Sequence, residues 1–225
     1  MVCFLYKDNK NKMKYIHLLI LLCFIFIVSS IYSQDKLGII ISGDEKNDLE
    51  KRVIENSKLL KTITANFRQE KTSLLISEKS VSMGVFYYKN SGFLRWEYSS
   101  PEKYVLIQNK EKVNLKNEKG EILETGRMFK YLADFISNSI NGNAIIEQKN
   151  FKKEYYKNDK NNSISIKLIP ISKQIKQIYS EIIVELDTKT LLANEITMIE
   201  ISGDITNIKF FDKKLNLDIS LTIFE

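Results

Sequence analysis

The chain has 225 residues, 44 % hydrophobic and 11 % aromatic, with 34 Lys and Arg against 28 Asp and Glu and a formal charge of +6 at pH 7. Its two cysteines (Cys3, Cys23) and its single histidine (His17) all lie near the start. Charges of both signs are interleaved and no basic face stands out, so the positive balance does not point to nucleic acid.

Lys7, Lys10, Lys12 and Lys14 precede an unbroken apolar run, Leu18 to Val28, followed by Ser29, Ser30 and Ser33. A basic start, a short apolar centre and a small-residue exit predict a secretory signal peptide over residues 1–33. The apolar run is short beside the ~20 residues of a membrane span. An uncleaved anchor is the alternative, and Met13 is a second candidate start. Cys23 follows Leu22 and precedes further apolar sequence, which argues against lipid attachment there. Without residues 1–33 the chain keeps no Cys and no His, and its balance is 30 basic to 27 acidic residues, or +3. Such a chain has no disulfide, Cys nucleophile, ordinary zinc site or Ser–His–Asp triad.

Residues 34–47 read as a flexible lead-in, and 48–225 as one domain. Asp48 opens a helical segment whose apolar stripe is Val53, Ile54, Leu59 and Leu60. An extended stretch follows from Ile63. Strands are predicted near 83–89, 93–99, 103–109 and 111–117, with a hairpin turn at Asn90–Gly92 and a break at Pro101. Phe86 and Tyr88, then Leu94, Trp96 and Tyr98, alternate onto one face. A second helix is predicted over Arg127–Ser139, with Met128, Tyr131, Leu132, Phe135 and Ile136 on one side. Strands then return: Ile164, Ile166 and Leu168 alternate with polar residues, Glu181–Asp187 and Leu191–Ile201 form a hairpin, and Ile205–Phe211 follows. Residues 217–223 alternate most cleanly of all and predict a last strand. The total is roughly ten strands and two main helices. That predicts an α+β fold, a strongly curved antiparallel sheet (an incomplete β-barrel) covered by helices around an apolar cavity.

Catalytic motifs are sparse. Glycine-rich phosphate loops are absent. Ser100–Lys103 matches S-x-x-K but lacks any companion motif. Glu97 and Glu102 are conceivable as a glycosidase pair, yet Glu97 shares a strand face with Phe93 and Arg95, which favours a solvated ion pair. No catalytic residue, metal site or cofactor is expected. From periodicity alone the aromatic face is either closed core or a ligand wall.

Two segments carry a resemblance. Ala65-Asn66-Phe67-Arg68-Gln69-Glu70 contains an F-x-Q element after a helix. Gly84-Val85-Phe86-Tyr87-Tyr88, then Gly92-Phe93-Leu94-Arg95-Trp96-Glu97-Tyr98 and Pro101, give a strand, a turn, a Trp-bearing strand and a proline. In this order the chain resembles the periplasmic outer-membrane lipoprotein carrier family, LolA-like proteins, over about Asp48 to Phe224. The resemblance implies an incomplete barrel whose cavity takes acyl chains of lipid-modified proteins. It also implies periplasmic location, delivery by an inner-membrane ABC lipoprotein-releasing transporter, and transfer to an outer-membrane acceptor or membrane, by a monomer. Phe86, Tyr88, Leu94, Trp96, Tyr98 and Leu106 are then expected to line the cavity from the sheet. Met128, Leu132, Phe135 and Ile136 are expected to close it from the helix. Where the family has an Arg-Pro turn that helps hold the lid, this chain has Asn90–Ser91, leaving Lys89, Asn90 and Arg95 as candidate latch residues. A membrane-associated lipid or lipoprotein receptor of the same fold is the alternative, and a hydrolase of envelope polymers a further one.

Overall fold

In chain order the strands are β1 (Ile39–Ile41), β2 (Thr62–Thr72), β3 (Lys79–Lys89), β4 (Phe93–Ser100), β5 (Tyr104–Asn109), β6 (Lys112–Asn117), β7 (Ile122–Leu123), β8 (Phe151–Asn158), β9 (Ser163–Pro170), β10 (Tyr179–Asp187), β11 (Ala193–Glu200) and β12 (Ile205–Leu215). They come from a computed structural model describing residues 37–75, 79–110, 112–123, 135, 149–159 and 161–225. All twelve form one sheet, ordered β1-β8-β9-β10-β11-β12-β2-β3-β4-β5-β6-β7, and every neighbouring pair is antiparallel. Strands β1 and β7 do not pair with each other, so the sheet is open rather than a closed barrel. The count exceeds the expected ten partly because β1 and β7 are three and two residues long. Runs that short carry no readable alternation.

The sheet is concave where its aromatics gather. Trp96 on β4 and Phe210 on β12 lie three strands apart, roughly 14 Å by strand spacing. Their ring centroids nevertheless approach to 5.8 Å. Bulges at Met83/Gly84 and Phe211/Lys214 sit in the strands that bend, as an extra residue on one side of a ladder requires.

Helix α1 (Gly43–Leu59) packs Leu49 and Val53 into the core. Side-chain bonds tie it down: the Tyr155 hydroxyl on β8 donates to Glu50 Oε1 at 2.6 Å, Asn56 Nδ2 donates to the Thr190 carbonyl in the β10–β11 turn at 3.2 Å, and Asn216 Nδ2 donates to the Leu59 carbonyl at 3.4 Å. The helix starts five residues before the expected Asp48, with Asp44 and Glu45 in its first turn, where negative charge offsets the helix dipole. The expected lead-in is therefore wrong from Ile39 onward: residues 39–41 pair with β8 and 43–47 are helical. The connection expected over 170–177 contains a short helix α2 (Lys173–Lys176). Among the described residues helix cover is sparser than expected.

The predicted last strand is also corrected. Asn216 takes φ +57 and ends β12, and 217–224 become a strap finishing in a 3-10 turn, Leu221–Phe224. The strap crosses the outer face of β3–β5. Lys89 Nζ donates to the Ile219 carbonyl at 2.7 Å, Arg95 to the Ile223 carbonyl at 3.2 Å, and Asn109 Nδ2 to the Phe224 carbonyl at 3.4 Å. Phe224, Ile219 and Ile107 form a second apolar cluster, with Tyr87, Phe93 and Val105 against it. The outer face here is apolar enough to need covering, and the alternating tail supplies the cover without joining the ladder.

Gly84 leaves no room for a side chain. A Cβ there would stand 1.9 Å from the Glu97 carbonyl oxygen and 2.7 Å from Phe67 Cε1. Gly84→Ala should therefore lower unfolding free energy by about 3 kcal/mol in denaturant titration, and Phe224→Ala by a similar amount through the cavity it leaves. Unchanged stability of the Gly84→Ala variant would contradict the packing described.

Candidate functional site

Strand register builds the inner wall row by row. One row runs Ala65, Phe86, Trp96, Leu106, Leu115, directly opposite one another across β2 to β6. The next runs Phe210, Phe67, Gly84, Tyr98, Tyr104 across β12 to β5. A third holds Ile63, Tyr88, Leu94, Gln108 and Val113. Alternation along each strand puts these side chains inward and Arg68, Tyr87, Lys89, Arg95 and Glu97 outward.

The rings interlock. Phe67 lies 4.9 Å from both Trp96 and Tyr98, and Phe86 5.3 Å from Trp96 and 5.7 Å from Phe210. Tyr98 stacks on Tyr104 at 4.1 Å. Gly84 lets this happen: with no side chain between Phe67 and Tyr98 in their row, the two rings meet edge to face over its backbone. Polar atoms on the wall are few. The Tyr98 hydroxyl donates to Gln69 Oε1 at 2.9 Å. Burial, and then the neighbouring Tyr104, hold that phenol well above its usual pKa. The Trp96 indole N–H is buried and has no acceptor at hydrogen-bonding geometry. The same N–H weakly opposes the rise in the Tyr98 pKa, a lesser influence than burial and Tyr104, without making a hydrogen bond of good geometry to the phenol oxygen.

The six sheet residues expected to line a cavity lie on the inner apolar face of the sheet. Phe86 and Leu94 are fully buried, Trp96 is 2 % exposed, Tyr88 and Leu106 are buried, and Tyr98 packs against the same cluster. From the expected helix only Phe135 is described. It is 1 % exposed and its ring lies 5.9 Å from Phe151 on β8. Met128, Leu132 and Ile136 lie outside the described residues. The candidate latch residues lie elsewhere: Lys89 and Arg95 face outward and hold the C-terminal strap, while Asn90 is an exposed turn residue whose N–H donates to the Lys61 carbonyl. Alternation requires this, since Tyr88 and Leu94 point inward. Phe67, Gln69, Phe210 and Tyr104 also belong to the wall. Phe67 and Gln69 were visible only as a motif, and Phe210 needed the β12–β2 pairing to come near Trp96.

The catalytic alternatives find little support. Glu97 accepts from Arg95 Nε at 2.8 Å on the outer face. Lys103 pairs with Glu118 at 2.9 Å, which raises its pKa and keeps it protonated, the wrong state for a base beside Ser100. Glu185 and Glu195 face each other across β10 and β11, and burial followed by Glu195 raises the Glu185 pKa. That pair sits in a polar ladder with Asn207 and Lys209 on the outer face, with Lys209 3.4 Å from Glu195. Among the described residues no group of three or more His, Cys, Asp and Glu could hold a metal ion, and no helix is long and apolar enough to cross a membrane.

MucB, in a crystal structure, is similar with a TM-score of 0.51 and 10 % identity, over 82 % of this chain and 63 % of MucB. This chain thus spans less than two thirds of MucB. A DUF1329 family protein from Desulfovibrio piger gives 0.48 and 11 %, over 79 % of this chain and 95 % of that one. A LolA superfamily protein from Nitrosomonas europaea gives 0.42 and 9 %, over 78 % and 97 %. These identities speak to fold alone. A comparison with curated proteins gives no match. Residues 58–225, which contain the whole aromatic wall, match the family described as outer membrane lipoprotein carrier protein LolA. The chain belongs to the LolA family, whose members are lipoprotein-binding or carrier proteins rather than enzymes.

Proposed function

We propose that this protein is a periplasmic carrier that takes up the acyl chains of lipoproteins at the inner membrane and passes them toward the outer membrane. The observation that carries the reading is the concave wall centred on Phe67, Phe86, Trp96 and Phe210. It brings Phe67 of the F-x-Q element and Trp96, from strands on either side of β3, into ring contact. A palmitoyl chain carries about fifteen apolar carbons, its methylenes and terminal methyl, and hiding them from water stabilises by roughly 12 kcal/mol at ~0.8 kcal/mol per group. Rings and branched chains offer apolar contact without directional demands, which suits cargo that differs in protein but not in lipid.

The wall is covered in this structure, so cargo must displace what covers it. Uptake then exchanges internal apolar contacts for acyl contacts and leaves only a modest net affinity, which permits release. Met128, Leu132, Phe135 and Ile136 are proposed as the moving cover, and residues 1–33 as an export signal. An inner-membrane ABC transporter is the proposed donor and an outer-membrane acceptor the proposed recipient.

Purified protein lacking residues 1–33 should release newly made lipoproteins from spheroplasts into the soluble fraction and co-isolate with them. Trp96→Glu, provided circular dichroism shows a folded protein, should lose at least ~90 % of that release, because it sets an unpaired carboxylate in apolar surroundings. Full release by a folded Trp96→Glu variant would refute the wall as the cargo site. Capture of lipoprotein without release from spheroplasts would favour the receptor reading instead.

A further inference from the structure

The Trp96 indole N–H, at the centre of the described wall, is an anomaly. A buried donor without an acceptor costs about 1–3 kcal/mol relative to a satisfied one, and natural cores rarely leave one so. Trp96 is 2 % exposed, its ring is held by Phe67, Phe86 and Phe210, and it stands two positions from Tyr98 along β4, on the same face of the wall. Tyr98 directs its own O–H to Gln69 Oε1, and its oxygen does not accept from the indole at bonding geometry. A purely hydrocarbon ligand leaves this donor unsatisfied. A ligand with a carbonyl among its apolar groups satisfies it.

We propose that Trp96 is a specificity-determining residue whose Nε1–H donates a hydrogen bond to an ester carbonyl of a diacylglyceryl group. The inference rests on the carrier reading and adds the part of the lipid that is read. It places the glyceryl end of the cargo, where the ester carbonyls are, beside Trp96, and the hydrocarbon tails along the remaining apolar face. No bond is made or broken, and the donor keeps its proton.

The test compares two peptides that differ only in linkage, an S-dipalmitoylglyceryl-cysteinyl peptide and its S-dihexadecylglyceryl ether analogue, by displacement of a pyrene-labelled fatty acid. The protein should bind the diester about ten-fold more tightly, near the upper range for one hydrogen bond. Trp96→Phe should bind both with equal affinity, while Tyr98→Phe should retain the preference. If Trp96→Phe does not fold, replacing this single tryptophan biosynthetically with β-(3-benzothienyl)alanine removes the N–H and keeps the ring shape. Equal binding of both peptides by the unaltered protein, a preference that survives loss of the indole N–H, or one abolished by Tyr98→Phe would overturn the inference while leaving the carrier reading intact. Failure of both peptides to bind would overturn the carrier reading and the inference with it. Dipalmitoylphosphatidylcholine as a third ligand separates the sources of the ester: tighter binding of the phospholipid than of the lipopeptide would contradict a lipoprotein cargo.

Discussion

Four aromatic rings on four adjacent strands hold the inner face of this sheet together. Phe210, Phe67, Phe86 and Trp96 come from β12, β2, β3 and β4, and each is within 6 Å of at least one other. Their contact requires the sheet to curve, and Gly84 removes the one Cβ that would hold Phe67 away from the backbone beneath it. Edge-to-face pairs add about 0.5–1.5 kcal/mol each beyond burial, so the cluster is both a stabilising core and a shaped apolar surface. The sheet curves without closing, and β1 and β7 remain its two edges.

The two faces of β3–β5 divide the labour. Inward residues form the wall. Outward residues, Tyr87, Phe93, Val105 and Ile107, would expose a second apolar patch, and the C-terminal strap covers it through Ile219, Ile223 and Phe224. Lys89 and Arg95 fix that strap by bonding its carbonyls. The basic residues nearest the family's Arg-Pro position therefore anchor the back of the sheet rather than a cover on its front.

Much of this was legible in the sequence, and the failures share a cause. Alternation placed Phe86, Tyr88, Leu94, Trp96 and Tyr98 on one face because neighbouring hairpins carry the pattern in consecutive residues. It did not bring in Phe210, whose place beside Trp96 depends on β12 pairing with β2, a contact between residues far apart in sequence. It misread 217–223 because the apolar residues alternate in sequence although only Ile219 and Ile223 of that set turn to the sheet, joined by Phe224, while Leu217 and Leu221 stay exposed. The hydrogen bonds there run from side chains to carbonyls rather than along a ladder. The segment 39–47 was expected to be a loose lead-in, yet Ile39–Ile41 form a three-residue edge strand, too short to show alternation, and an acidic first turn opens the helix at Gly43.

Trp96 is the chain's single tryptophan, so its fluorescence reports on the wall alone. Titration with a lipopeptide whose acyl chains carry bromine near their glyceryl ends tests the central claim most directly, because bromine quenches tryptophan only at close range. The account predicts emission that falls in step with binding measured independently by probe displacement. Binding that leaves the Trp96 emission unchanged would contradict it.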